Sequence, residues 1–260
     1  MDRGSMLDAV RADLARTLVA LDFDGTLAPV VADPARSRPV PGTVAALQAL
    51  SAAGAQVAVI TGRDARTVLE LGGFSAIEGL LVYGLYGVES WHGGDLSTIE
   101  EPPALAMLRD RLPAVLAHAG TDDRVWIEDK RLSLVVHARK AADPAAQLAL
   151  ARAPVQRLAG ELGLETHDGR DVLEIRIPGY DKGTVLRALV ARQDPGVVVF
   201  AGDDVGDLPA FELMRELREA GRLAWSIGVI SPEATGVGES ADLRVDSPSE
   251  LVQLLSEMVG

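Results

Sequence analysis

The 260-residue chain contains no cysteine. This absence excludes disulfide bonds, thiolate-bound zinc and thiol nucleophiles. Basic residues are also in the minority, with 25 lysines and arginines against 38 aspartates and glutamates, and a formal net charge of −13. Because nucleic acids and anionic membranes attract basic surfaces, we expect neither as a partner. An anionic substrate would have to be bound by local cations or by a metal ion.

Long apolar runs are missing as well. No uninterrupted apolar stretch approaches the ~20 residues that a membrane helix needs, and the charged N-terminal segment lacks the apolar core of a signal peptide. We therefore expect a cytoplasmic protein. The sequence leaves the oligomeric state open, and a monomer is compatible with it. With 48% hydrophobic and 24% charged residues, the composition is that of a globular chain forming one large domain or two modest ones.

Apolar strands alternate with helical segments in the two outer parts of the chain, which predicts a parallel sheet covered by helices on both faces. The middle part has the order helix–strand–strand, twice, which predicts an antiparallel sheet with helices on one face. We therefore predict an α/β fold, a Rossmann-like core of residues 1–103 and 181–260, interrupted by a separate α+β domain over residues 104–180.

Four short motifs lie where apolar strands end or a helix begins: DFDGT (22–26), VITGR (59–63), DKG (181–183) and GDDVGD (202–207). In an open parallel sheet, ligands bind beyond the carboxyl ends of the strands. Asp22, Thr61 and Asp203 each follow a strand, so we expect them to converge on one crevice. Lys182 begins a helix, where its ammonium group and the helix N-terminus can both bind an anion.

Asp22, Asp24 and Asp203 around one crevice, with no histidine or cysteine, suit a hard cation with oxygen ligands, and we expect Mg²⁺. A bound cation would also compensate for placing carboxylates at the end of an apolar strand. Asp22 can then attack phosphorus and form an aspartyl-phosphate. Asp24 would protonate the leaving oxygen and later deprotonate the attacking water.

The remaining groups would bind the phosphoryl oxygens. The Thr61 hydroxyl and the main-chain amides from Phe23 to Gly25 are donors, and Lys182 together with Mg²⁺ would neutralise the charge that builds up in the transition state. Asp204 and Asp207 are expected to hold the groups around the metal ion in place.

In this order, the four motifs resemble those of the haloacid dehalogenase (HAD) superfamily of phosphatases. The resemblance implies a HAD core with a C2-type cap, an inserted αββαββ domain that roofs the site, between Thr61 and Lys182. Caps of this kind usually accept small sugar phosphates. More specifically, the chain from about Leu18 to Phe211 is similar to the trehalose-6-phosphate phosphatase family, in DFDGTLAPVVADPARSRP, VITGR, IEDKRLSLVVHAR and VLEIRIPGYDKG.

This second resemblance implies Mg²⁺-dependent hydrolysis of trehalose 6-phosphate through an aspartyl-phosphate. It places substrate contacts at Phe23, Gly25, Gly62 and Arg63 in the core, and at Glu128, Lys130, Arg139 and Glu174 in the cap. Strand alternation agrees, because it puts these cap residues on the sheet face away from the apolar residues. Alternation alone favours an ordinary solvated face, and it is the family motif that favours sugar contacts instead.

The chain departs from the family pattern in two places. Residues 84–87 are Gly-Leu-Tyr-Gly where the family commonly has Gly-x-His-Gly, and residues 206–208 are Gly-Asp-Leu where it commonly has Thr-Asp-Glu. Two alternative functions therefore stay open at this point. One is a phosphatase for another sugar phosphate, of the sucrose or glucosylglycerate type. The other is a non-catalytic regulator that binds a sugar phosphate.

Overall fold

The structure is a computed structural model and describes residues 2–31, 33–169, 171–230 and 237–260. The chain forms two compact units. We call residues 1–98 with 180–260 the core unit and residues 99–179 the inserted unit. The sequence predicts the two junctions at 103/104 and 180/181.

The helices and strands follow one another along the chain in this order: α1 (Arg3–Ala12), β1 (Thr17–Leu21), α2 (Thr43–Ala52), β2 (Gln56–Ile60), α3 (Ala65–Gly72), β3 (Leu81–Gly84), β4 (Glu89–His92), β5 (Asp95–Thr98), α4 (Pro103–His118), β6 (Trp126–Asp129), β7 (Ser133–His137), α5 (Pro144–Glu161), β8 (Glu165–Gly169), β9 (Val172–Arg176), α6 (Lys182–Gln193), β10 (Val197–Gly202), α7 (Leu208–Glu219), β11 (Leu223–Val229), β12 (Leu243–Val245) and α8 (Pro248–Glu257). None of the helices in the described ranges is long and apolar enough to cross a bilayer.

The core unit contains one sheet of strand order β12-β11-β10-β1-β2-β3-β4-β5. Strands β12 to β3 run parallel, and β4 and β5 extend the edge as an antiparallel hairpin. Strand β1 lies between β2 and β10, so the chain proceeds from β1 to one side and later returns on the other. Such a reversal of strand order opens a crevice at the carboxyl ends of the strands. The predicted α/β architecture is confirmed.

Helices cover both faces of this sheet, and β1 shows why its sequence is continuously apolar. Val19 and Leu21 belong to the apolar cluster with α1, α2 and α8. Leu18 and Ala20 belong to the cluster on the other face, with α6 and α7. Every residue of β1 is buried, as expected for a central parallel strand.

Helix α1 has no counterpart in the sequence-based prediction, which assigned no element to the charged N-terminal segment. Asp2 caps the helix by accepting a hydrogen bond from the main-chain N–H of Ser5 at 3.0 Å. Met6, Leu7 and Val10 form its buried side. Three apolar residues on one side are enough to anchor a short helix against the sheet, even in a polar sequence.

The inserted unit has the predicted order αββαββ and one antiparallel sheet, β6-β7-β9-β8. Helix α5 packs against β8 and β9 and also against α4. The buried strand residues Leu134, Val136, Leu173 and Ile175 alternate with residues of the opposite face. The period-two alternation of the sequence therefore gives the correct strands and the correct apolar face.

Candidate active site

Asp22 and Lys182 form a buried ion pair at the carboxyl end of β1. The main-chain N–H of Asp22 donates to Ala201 O of β10 at 2.9 Å, which fixes the residue at the crevice. Its carboxylate lies 2.8 Å from Lys182 Nζ, and both residues are 3% exposed. Lys182 is the first residue of α6, whose N-cap Asp181 accepts the N–H of Thr184. The two motifs 22–26 and 181–183 thus meet.

The GDDVGD motif supplies further carboxylates to the same place. Asp207 Oδ1 lies 2.7 Å from Lys182 Nζ, and its Oδ2 accepts the main-chain N–H groups of Asp203 at 2.9 Å and Asp204 at 3.0 Å. Asp203 in turn accepts the hydroxyl of Thr26 at 3.1 Å. Thr26 has no predicted role. Its position in the DFDGT motif was the signal that could have found it.

Gly25 allows these two segments to approach each other. It has φ +79°, a conformation that residues with side chains rarely adopt. A Cβ atom at this position would also lie 2.0 Å from Asp203 Oδ2. Glycine is therefore needed twice over, for the turn of the motif and for the close approach of Asp203.

Carboxylate oxygens of Asp22, Asp203 and Asp207 lie within 4.8 Å of one another. Three buried oxygen donors with no nitrogen or sulfur donor are the type of group that holds a hard metal ion. The sequence prediction placed Asp22 and Asp203 in this group. It placed Asp207 only in the surroundings, although the spacing of four residues from Asp203 carried the signal.

The cluster is rich in negative charge. Burial, reinforced by Asp207 and Asp204, raises the pKa of Asp203 to about 7. Burial also raises the pKa of Asp207 to about 6 against the opposing effect of Lys182, and it raises the pKa of Asp22 well above its ordinary range. Burial alone would lower the pKa of Lys182, but Asp207 and Asp22 outweigh it and raise that pKa. One ammonium group serves several carboxylates, so an added cation would be stabilised here.

The side chain of Asp24 has a different partner. Arg63 Nε lies 2.5 Å from Asp24 Oδ2, and Arg63 Nη2 lies 2.7 Å from Oδ1. The Ser37 hydroxyl donates to Oδ1 as well, at 3.1 Å. This bidentate pair joins the loop after β1 to the loop after β2. The roles of Asp24 as metal ligand and as acid and base stay predictions.

Thr61 and Phe23 are held by their main chains. Thr61 is 1% exposed and its N–H donates to Tyr83 O of β3 at 2.9 Å. It follows β2, the neighbour of β1, and therefore lies at the same edge of the sheet as Asp22. The ring of Phe23 is fully buried and packs edge-to-face on Phe74, with centroids 6.0 Å apart. The side chain of Phe23 is therefore not available to a substrate.

The predicted sugar-binding residues lie on or beside the polar face of the sheet in the inserted unit. Glu128 pairs in register with Val135, and Val135 with Glu174, so the two glutamates are on one face two strands apart. Lys130 follows β6 and is half-buried, and Arg139 follows β7 and is exposed. Their contact with a sugar stays a prediction.

Both glutamates already have partners within this face. Glu174 Oε1 accepts the Ser133 hydroxyl at 2.9 Å, and Glu128 Oε2 lies 2.7 Å from His137 Nε2. The imidazole stacks on Trp126 with ring centroids 4.5 Å apart. Burial lowers the pKa of His137, against the opposing effect of Glu128. These partners hold the carboxylates in place without burying them.

Comparison with known proteins agrees with the motifs. The sequence profile of the trehalose-phosphatase family matches residues 20–249. The chain belongs to the trehalose-phosphatase family. A trehalose-phosphate phosphatase of Mycobacterium marinum is 36% identical to this family member over 214 residues, which cover 76% of this chain and 51% of that protein. The chain thus spans about half the length of the curated relatives it matches.

Two solved structures resemble this family member over nearly their whole length. The trehalose-6-phosphate phosphatase of Aspergillus fumigatus, crystal form 3, has a TM-score of 0.76 and 25% identity, and the match covers 100% of this chain and 97% of that one. The C-terminal domain of a trehalose synthase regulatory protein of Candida albicans has a TM-score of 0.73 and 11% identity, covering 98% of each chain. At that identity the second likeness shows the fold alone.

Proposed function

We propose that the chain hydrolyses trehalose 6-phosphate to trehalose and inorganic phosphate, with Mg²⁺ as its metal ion. The observation that carries this proposal is the environment of Asp22. This carboxylate is buried and 2.8 Å from the ammonium of Lys182. Its oxygen lies within 4.8 Å of oxygens of Asp203 and Asp207. Family membership and the names of the relatives support the choice of substrate.

In the first step Asp22 attacks phosphorus, and the bond between phosphorus and the sugar oxygen breaks. The product on the protein is an aspartyl-phosphate. Lys182 places a positive charge next to the oxygens that gain negative charge, and the N-terminus of α6 adds its dipole. When bound by Asp22, Asp203 and Asp207, Mg²⁺ would supply the remaining neutralisation of the phosphoryl charge.

Asp24 would give a proton to the leaving sugar oxygen. It would then accept a proton from the water that attacks the aspartyl-phosphate, which releases inorganic phosphate and regenerates Asp22. Arg63 contacts both carboxylate oxygens of Asp24 in this structure, so this role requires at least one of them to separate from the guanidinium. The separated Arg63 would then be available to a phosphoryl oxygen, the role that the family resemblance implies.

The other predicted residues would bind and orient the substrate. The Thr61 hydroxyl and the main-chain amides of Phe23, Asp24 and Gly62 would donate to phosphoryl oxygens. The Gly25 N–H donates to Ala28 O at 2.7 Å, so the contact predicted for it would require that hydrogen bond to break. In the inserted unit, carboxylates and cations on one sheet face would bind the sugar hydroxyls through charge-assisted hydrogen bonds. The residues proposed for this are Glu128, Lys130, Arg139 and Glu174.

The test measures phosphate release from a panel of sugar phosphates, with Mg²⁺ and with the metal removed by EDTA. We expect trehalose 6-phosphate to be preferred and activity to be lost with EDTA. A clear preference for sucrose 6-phosphate or glucosylglycerate phosphate would replace the proposed substrate and keep the Asp22 chemistry. Binding of trehalose 6-phosphate without any release would instead indicate the regulatory alternative and contradict the proposal.

A further inference from the structure

The turn between β3 and β4 has an unusual backbone. Leu85 and Tyr86 have φ values of 48° and 58°, in the left-handed region that residues with side chains rarely adopt. Their N–H groups donate to Arg63 O at 2.8 Å and to Thr61 O at 2.9 Å. Strained residues persist only where the surroundings fix them, and they cluster at functional sites. The turn is therefore built onto the main chain of residues 61–63.

Two further contacts fix this turn against the start of α3. The buried carboxylate of Glu89 accepts the main-chain N–H of Ala65 at 2.9 Å. A Cβ atom at Gly84 would lie 2.4 Å from Ala65 N, so the two segments are in direct backbone contact. Residues 61–65 and 84–89 consequently form one fixed arrangement.

The end of the Tyr86 ring lies directly on Gly62. A Cβ atom at Gly62 would be 2.7 Å from the phenol oxygen and 2.8 Å from Cζ. Gly62 is not among the glycines with positive φ, so its own backbone does not demand glycine. A side chain at position 62 would therefore have to displace the phenol. The phenol oxygen thus sits beside the residue that follows Thr61.

We propose that Tyr86 is a phosphate-binding residue, and that its phenolic hydroxyl donates to an oxygen of the substrate's phosphate group. This rests on the proposed function, which puts that group at the Thr61 hydroxyl and the Gly62 amide. A phenol is a neutral O–H donor, and donors of this kind form strong hydrogen bonds to ionised oxygens. The strained turn at residues 85 and 86 provides what such a donor needs, a fixed position against the phosphate-binding segment.

The first experiment compares Tyr86→Phe with Tyr83→Phe. Tyr83 is a matched control because it lies on the adjoining strand and its phenol oxygen has another partner, Arg192 Nη2 at 3.2 Å. Binding of inorganic phosphate in the presence of Mg²⁺ is measured by calorimetry, and kcat and KM are measured with trehalose 6-phosphate. We expect Tyr86→Phe to weaken phosphate binding and raise KM on the order of 10-fold, with a smaller change in kcat. Tyr83→Phe should change neither.

The second experiment uses Gly62→Ala, which puts a methyl group where the phenol lies. This variant should lose at least as much phosphate affinity as Tyr86→Phe, because the methyl group would displace the phenol and also lies on a residue whose amide is proposed to bind the phosphate. Thermal unfolding checks that each variant folds. Unchanged phosphate binding in Tyr86→Phe would overturn the proposal.

The same data separate this proposal from the function on which it rests. If the wild-type protein is active and phosphate binding is unchanged in Tyr86→Phe, only the proposed Tyr86 contact is contradicted. The wild-type protein could instead hydrolyse no sugar phosphate while Tyr86→Phe still binds inorganic phosphate more weakly. That result would contradict the proposed hydrolysis and support the Tyr86 contact.

Discussion

The two units of the chain present polar groups in opposite ways. In the core unit Asp22, Asp203 and Asp207 are only 3%, 2% and 0% exposed, and each is fixed by a neighbouring group. In the inserted unit the side chain of Glu128 is 46% exposed, and Glu174 is only half-buried. Buried, fixed charge is what a chemical step requires, because no reorganisation is then needed during reaction. An accessible polar face is what recognition of a hydroxyl-rich molecule requires.

This difference predicts that substitutions in the two units affect different substrates. Changes in the core cluster should reduce turnover of every phosphate ester, whatever the leaving group. Changes on the polar face of the inserted unit should reduce turnover only of substrates that carry the sugar.

Asp22→Asn should reduce kcat by ~10³-fold or more, because an amide cannot attack phosphorus. The substitution keeps the shape of the side chain, so the fold should survive, which circular dichroism and thermal unfolding can check. The loss should be equal for trehalose 6-phosphate and for a small aryl phosphate. Substantial phosphate release by the folded, Mg²⁺-loaded variant would remove Asp22 from the role of nucleophile.

Asp203→Ala should weaken Mg²⁺ binding on the order of 100-fold, because it removes one of the three clustered carboxylates. Activity should be low at limiting Mg²⁺ and recover in part when Mg²⁺ is in excess. Glu212→Ala is a suitable control, since Glu212 is an exposed carboxylate of α7 whose partner is Arg215. Equal Mg²⁺ affinities of wild type and Asp203→Ala, measured by calorimetry, would contradict the assignment of the metal site.

The sequence predicts best where local signals and burial agree. Helix α6 begins at Lys182 as predicted, because the capping Asp181 and the apolar side of the helix both mark it. The parallel strands of the core unit are predicted because a central parallel strand is apolar throughout. Helix α1 escapes prediction because three buried side chains, and not its polar composition, hold it in place.

Side-chain partners in the candidate site are less predictable than its location. Motif order brings Asp22, Lys182 and Asp203 to one edge of the sheet. The pairing of Asp24 with Arg63 depends on the paths of two loops, and the Lys182 contact of Asp207 depends on the turn before α7. Patterns in sequence carry no direct signal for either path.

Glu174→Ala should reduce kcat/KM for trehalose 6-phosphate by 10- to 100-fold, the effect of losing one charged hydrogen bond of ~1.5–3 kcal/mol. A small aryl phosphate, which carries no sugar, should be hydrolysed almost as before. Glu161→Ala is the control, because Glu161 is an exposed carboxylate of the same unit on α5, paired with Arg111. Equal losses on both substrates would mean that Glu174 supports the fold in general. No loss on either would return the polar face to an ordinary solvated surface.

The smallest expected effect concerns pH and tests the core cluster alone. Protons and Mg²⁺ compete for the same carboxylates, so Mg²⁺ binding should weaken as the pH falls through the raised pKa values, about 7 for Asp203 and about 6 for Asp207. We expect Mg²⁺ affinity to be about 10-fold lower at pH 6 than at pH 8. Calorimetric titration with Mg²⁺ at the two pH values measures this, and equal affinities would contradict it.

The pH dependence has the opposite sign for the stability of the metal-free protein: Mg²⁺ affinity should rise with pH, whereas stability should fall. This difference distinguishes competition between protons and Mg²⁺ from general unfolding by acid. Because the pKa of Asp203 is raised from 3.8 to about 7, the folded state still binds protons that the unfolded chain has lost between these values. The free energy of unfolding without metal should therefore fall as the pH rises from about 4 to about 7. In Asp203→Asn the group cannot titrate, so this slope should flatten, whereas Glu212→Gln should keep it. A metal-free wild type that becomes more stable over this range would mean that the buried carboxylates are compensated by charges other than a bound cation.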